Sequence, residues 1–193
     1  MAISFKLNGK PSAEVMKGWS IKRSASQTNA ALTHREITWS QPGGGLEVRC
    51  EGVEYNDFPT VEWTVYLKNT AATDSPNIED LHAIDLNFRG DAGGGDIVLH
   101  HNTGSPCTPT DYQPHDDKLA PNDSKRITTA GGRSTNSDLP FFNLDFAGRG
   151  AIVALGWPGQ WAADFRRDSG GTVRVVAGQE LTHFRLHAMR ARV

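Results

Sequence analysis

The stretch LPFFNLDFAGRGAIVALGW, from Leu139 to Trp157, reads as two apolar strands, Leu139 to Phe146 and Ala151 to Trp157. The turn Ala147-Gly148-Arg149-Gly150 joins them. Short apolar runs closed by glycine-rich turns are the mark of antiparallel pairing. A hairpin here brings its two flanking loops out at the same end. The loop before it, Gly131-Gly132-Arg133-Ser134-Thr135-Asn136, is polar and glycine-rich. The loop after it, Trp157-Pro158-Gly159-Gln160-Trp161, holds two indoles and an amide in five residues.

The same period of two runs outward in both directions. Ile3, Phe5 and Leu7 alternate with polar residues before the turn Asn8-Gly9-Lys10-Pro11. Glu14 to Gln27 reads as a strand with an irregular centre, Ala31 to Ser40 as a second, and Leu46 to Glu51 as a third. In Val61 to Leu67 the apolar residues Val61, Trp63, Val65 and Leu67 share one face, so Trp63, like Trp39, is expected in the core. Ile78 to Phe88 reads as one strand, Arg89 to Asp96 as a turn, and Ile97 to His101 as a strand ending at a surface. Asn102 to Ser124 is the longest irregular piece, and such a loop is usually functional. A hairpin across Ser169-Gly170-Gly171 and a last strand, Leu181 to Leu186, complete the chain. There is no amphipathic helix of normal length and no internal repeat. The expected fold is therefore all-β: a large antiparallel sandwich of two packed sheets, with roughly a dozen strands.

Composition narrows the function. The 193 residues suffice for one large domain, read as 1–193. Twenty bases against 22 acids, interspersed, give a net charge of -2 and no basic stripe for nucleic acid. No apolar run is long enough to span a bilayer. Met1 to Lys6 lacks the basic-then-apolar order of a signal peptide, so the compartment stays open. Cys50 and Cys107 read as free thiols without zinc-type neighbours. The pair His183 and His187 has ligand spacing, but Phe184 stands where a zinc-protease motif needs Glu. The glycine-rich pieces lack the Gly-Lys-Ser/Thr of a phosphate loop, so neither metal nor cofactor is expected.

Exposed indoles beside amides and a guanidinium suit a sugar, whose C–H faces stack on rings while its hydroxyls need polar partners. Arg133, Ser134, Asn136 and Gln160 would supply the polar groups, and Trp157 and Trp161 the rings. The alternative reading is that Trp157 closes the core and the loop has turn chemistry alone. His100 and His101 are adjacent in a strand and point to opposite faces, so they cannot chelate one metal, and one of them faces a cleft or serves a polar structural role. No two acids can be paired by sequence as a glycosidase couple.

Four motifs carry a resemblance: His100-His101-x-x-Gly104-Ser105; Gly131-Gly132-Arg133-Ser134-x-Asn136-x-x-Leu139-Pro140-Phe141-Phe142-Asn143-Leu144; Gly156-Trp157-x-Gly159-Gln160-Trp161; and Glu180-Leu181-Thr182-His183. With Pro59-Thr60-Val61-Glu62-Trp63, they resemble the N-terminal β-domain of bacterial α-galactosidases of glycoside hydrolase family thirty-six, over about Gly52 to His187. The resemblance implies a supersandwich similar to galactose mutarotase, followed in that family by a catalytic β/α barrel bearing both aspartates of a retaining mechanism. This chain stops at Val193, where the barrel would begin, so no aspartate here inherits a catalytic role. The implied function is non-catalytic: packing on the barrel and shaping the sugar site through Arg133, Ser134, Asn136, Trp157, Gln160 and Trp161, with His101 as a further candidate. The implied partners are a galactoside and the barrel, and homo-oligomerisation stays open. The alternatives are a free-standing carbohydrate-binding module and an aldose epimerase using a pair such as His101 and Glu180.

Overall fold

A computed structural model describes residues 2–90 and 95–188. Of the expected turn Arg89 to Asp96, residues 91–94 lie outside the described residues. Sixteen strands are described: Ser4–Leu7 (β1), Lys10–Pro11 (β2), Ser20–Asn29 (β3), Leu32–Ser40 (β4), Leu46–Tyr55 (β5), Thr60–Asn69 (β6), Ile78–His82 (β7), Ile84–Arg89 (β8), Val98–Asn102 (β9), Pro114–Lys118 (β10), Ser124–Thr128 (β11), Phe141–Asp145 (β12), Gly150–Ala154 (β13), Trp161–Arg167 (β14), Thr172–Gln179 (β15) and His183–Phe184 (β16). One helical turn, Ser12–Val15 (α1), accompanies them. The all-β reading holds. The strands form four four-stranded sheets, and the pairings between them are antiparallel.

The chain divides into two compact units, one made mainly of residues 80–182 and the other mainly of residues 5–79 with the segment after 182. The first unit is a sandwich. One sheet has the order β10-β9-β12-β13 and the other β11-β14-β15-β8. Between them lie Leu99, Phe142, Leu144 and Val153 from one side, and Ile127, Trp161, Ala163, Phe165, Val173, Val175 and Ala177 from the other, all buried. Phe142 meets Trp161 and Phe165 edge-on, with ring centroids 5.7 and 5.0 Å apart. Each large side chain so enclosed stabilises the fold by about 1.5–3 kcal/mol. The hairpin that opened the reading is present as β12 and β13, in register from Phe141 opposite Ala154 to Asp145 opposite Gly150.

In the second unit, β3-β4-β5-β6 is a meander of nine- and ten-residue strands, and β16-β7-β1-β2 is the smaller sheet. Trp39 and Val48 are buried, as expected of the apolar face. Trp63 is only half-buried, and Val61 and Ile21 on the same face are exposed, so the expectation of a core Trp63 is met in part.

Other departures have local causes. Glu14 to Gln27 is no single strand: Ser12–Val15 turns as a helix, and Gly18 at φ 85° reverses the chain before β3. The Ser12 hydroxyl sits buried and accepts the Phe5 amide, which fixes that turn. Ile78 to Phe88 is two strands, broken by a bend at Ala83, and Asp80 within the first of them takes φ 47°. The irregular span from Asn102 to Ser124 hides β10, paired with β9 from Pro114 opposite Asn102 to Lys118 opposite Val98. Its sequence, PHDDK, gives no apolar signal because it is an edge strand, where charge and a leading proline are tolerated. The last strand shrinks to His183–Phe184, since Leu181 takes φ 55°.

Candidate functional site

The two loops flanking the β12–β13 hairpin meet, and one side chain fastens them. Gln160 accepts the Gly132 amide at its Oε1, 3.1 Å away. Its Nε2 donates to the Thr129 carbonyl and to Glu180 Oε2, the latter at 2.8 Å. Glu180 is itself fixed by Arg126 at 2.8 Å and lies 3.0 Å from the Thr128 hydroxyl. Arg126 reaches Asp164 across the sheet with its other nitrogen, at 2.6 Å. The clasp therefore rests on β11, β14 and the end of β15, which are rigid strands, and presents the first loop from them.

Inside the first loop, the Thr129 hydroxyl donates to the Arg133 carbonyl and accepts the Asn136 amide. The exposed Arg133 guanidinium donates to Asn136 Oδ1. Gly131 and Gly132 both hold positive φ, 65° and 69°, which lets the chain fold back this tightly. The loop also lies against the start of the long irregular span. Gly104 donates its amide to Ser137 O at 2.8 Å, and Ser105 to Thr135 O at 2.7 Å.

The predicted site residues divide into three groups. Arg133, Asn136 and Trp157 stand at or near the surface, Trp157 being 42% exposed with its indole folded over Gly159. Gln160 and Ser134 are half-buried: Gln160 is spent on the clasp, and Ser134 offers its carbonyl inward. Trp161 and His101 are enclosed, which corrects the expectation that they meet a ligand. Trp161 begins β14 with its side chain on the inner face and donates its indole N–H to Ser134 O at 2.7 Å. It holds the loop from below and offers no ring to a sugar. His101 points into the sandwich, as the opposite-face argument allows, while His100 points out and bonds Asp116 at 2.6 Å.

His101 and Glu180 are bonded to different partners, Asp117 and the Arg126–Gln160 clasp respectively. Sequence reading did not foresee that Thr128, Thr129 and Glu180 carry the loop; the strand before it, SKRIT, has one apolar residue and gives no local signal for this role. Cys50 and Cys107 are both free. Among the described residues no cluster of His, Cys, Asp or Glu could hold a metal, and no helix is long and apolar enough to cross a membrane.

The Glu180 carboxyl carries a pH signature. Burial opposes its charge, but bonds from Gln160, Arg126 and Thr128 outweigh burial and hold it below the usual glutamate range. A depressed folded value stabilises above the unfolded value and is lost as pH falls through the folded one. The clasp should therefore weaken below about pH 4. Measured as urea midpoint against pH, the acid limb of wild type should be steeper than that of Glu180→Gln. Coincident limbs would remove Glu180 from this role.

No protein-family model matches the sequence, and no curated protein is similar to it in sequence. Solved structures do match in fold. The GH36 α-galactosidase AgaA from Geobacillus stearothermophilus, in complex with raffinose, aligns over 96% of this chain with a TM-score of 0.70 and 14% identity. The galactosidase domain of the α-galactosidase-sucrose kinase AgaSK aligns over 97%, with a TM-score of 0.69 and 15% identity. An α-galactosidase from Lactobacillus brevis aligns over 97%, with a TM-score of 0.68 and 12% identity. The chain spans only 27–28% of the length of these structures. Its fold is that of a β-sandwich portion of GH36 α-galactosidases.

Proposed function

We propose that this chain is the non-catalytic β-sandwich domain of an α-galactosidase-like glycoside hydrolase, packing on a catalytic barrel and shaping its sugar-binding site. The observation that carries this reading is near-complete coverage of this chain by about a quarter of each matched enzyme. The clasped loops supply the means. Arg133 and Asn136 present a guanidinium and an amide on a scaffold tied to strand ends, and Trp157 presents a half-exposed indole beyond the other loop. Such a surface can form one wall of a site or a docking rim without breaking bonds. The outer face of β12 and β13 extends the apolar ground: Phe141 and Ile152 are exposed there on the same side of the hairpin. Exposed apolar area of this kind marks contact with another surface.

The chain purified from a host without α-galactosidase should leave nitrophenyl α-galactoside intact. Robust turnover would overturn the reading. A second reading, a free-standing carbohydrate-binding module, is favoured by the exposure of Trp157. Titration with raffinose, followed by tryptophan fluorescence, separates the two. A saturable change lost in Trp157→Ala supports the module, and a flat titration supports docking.

A further inference from the structure

We infer that β6 is a self-pairing edge: two copies of this chain join antiparallel along it, about a two-fold axis through Val65. β3 and β6 end the meander on either side, and each has ten residues. Edge strands ordinarily resist such pairing through bulges, prolines or lysines. β3 is built that way: it carries Lys22 and Arg23 with no acid, and its register shifts between Gln27 and Asn29. β6, TVEWTVYLKN, has a single lysine near its end and no proline. It runs unbroken against β5, from Thr60 opposite Tyr55 to Asn69 opposite Leu46, so no bulge turns its outer edge away. Its side chains are also poorly covered. Val61 is 58% and Tyr66 43% exposed, and Trp63, Val65 and Leu67, on the same face as Val61, are only half-buried.

The order of residues in β6 selects how a second copy fits. A two-fold axis perpendicular to the sheet keeps each face on its own side, so the strand pairs with itself only in registers centred on a residue. Glu62 and Lys68 are the charges of β6, both exposed on the polar face. The register centred on Val65 sets them opposite each other, twice over. It also pairs the strand along nearly its whole length, from Val61 to Asn69. Thr64 then faces Tyr66 of the second copy. On the apolar face Trp63 meets Leu67 of the second copy, and Val65 meets Val65. Opposite-charge, aromatic and β-branched cross-strand pairs are the contacts that stabilise a sheet. Centring on Thr64 or Tyr66 leaves both charges opposite neutral residues, and centring on Glu62 sets like charges together.

The groups on β5 agree with this register. Glu62 accepts the Tyr55 hydroxyl at 3.1 Å, which holds its carboxylate on the polar face. Lys68 lies opposite Glu47 and gains a second acid from the other copy. The pairing joins two four-stranded meanders into one continuous sheet, and because both copies use the same edge it closes at two. It stands on β6 alone, whatever the loops beside β12 and β13 contact.

Sedimentation velocity of the full chain, from about 1 to about 200 μM, should show a reversible monomer–dimer equilibrium. Lys68→Glu and Glu62→Lys each set like charges opposite across the axis, and each should raise the dissociation constant about tenfold or more. Combining the two substitutions restores opposite charges and should return the constant to within about threefold of wild type. Circular dichroism confirms that each variant is folded. Amide exchange locates the contact: alternate amides of β6 should gain protection as concentration rises, and those of β3 should not. A monomer across the whole range, a dimer indifferent to the single substitutions, a folded double variant that fails to recover, or protection gained outside β6 would each overturn the proposal. So would a growing series of higher oligomers, the mark of head-to-tail pairing between β3 and β6.

Discussion

Trp161→Ala should lower the stability of the chain by about 3–5 kcal/mol, the range for removing a fully buried aromatic side chain. No part of the ring reaches solvent, and it lies edge-on against Phe142 of the opposing sheet. Its loss opens a cavity between the two sheets, beneath the loop, and also leaves the Ser134 carbonyl without its indole donor. Against a total of about 5–15 kcal/mol for a domain, that is enough to leave a sizeable unfolded fraction. Trp161→Phe separates the two contributions. It keeps most of the packing and loses the hydrogen bond, at about 1 kcal/mol. Urea unfolding followed by far-ultraviolet circular dichroism would measure both. An alanine variant with the wild-type midpoint would mean that the sheets do not depend on this ring.

Gly104→Ala should cost about 1–3 kcal/mol and, more tellingly, push the candidate loop away from its support. A Cβ at this position would lie 2.3 Å from Thr135 O, 2.8 Å from Thr135 C and 3.0 Å from Asn136 C. All three are backbone atoms, so no side-chain rotation can relieve the contact. One segment has to move, and the bonds from Gly104 to Ser137 and from Ser105 to Thr135 break with it. Amide exchange at Ser105 should then rise sharply while the amides of β14 and β15 stay protected. Unchanged exchange at Ser105 would show that the two segments tolerate separation.

These two positions also show what sequence could and could not convey. The β12–β13 hairpin was legible because its apolar residues alternate against a glycine turn, and its geometry alone implied that the loops at its open end meet. The importance of Gly131 to Asn136 and of Trp157 to Trp161 followed from that. The division of labour among them did not. Trp161 sits two residues beyond Gly159, and nothing local says that a strand has already begun; the inner face is chosen by pairing with Gln179 of β15. Gln160 looked like a ligand group because a free amide and a structural amide are spelled alike. Its partners, Gly132, Thr129 and Glu180, are remote in the chain, and only the fold assembles them. The strand β10 was illegible for a related reason. An edge strand rich in Asp and His resembles a loop until its neighbour's backbone is in view.

The division of the chain into two units bears on how the protein is made. The second unit begins with residues 5–79, yet its β16, His183–Phe184, pairs with Ile78 and Glu79 of β7. During vectorial synthesis the meander β3 to β6 emerges early and can form by local pairing alone. The smaller sheet must wait until nearly the whole intervening unit has left the ribosome. Closing contacts across so long a separation is entropically slow. For that interval β7 has an open edge, and the nascent chain is most exposed to mispairing there, so chaperone demand should concentrate on the small sheet while the meander matures unaided.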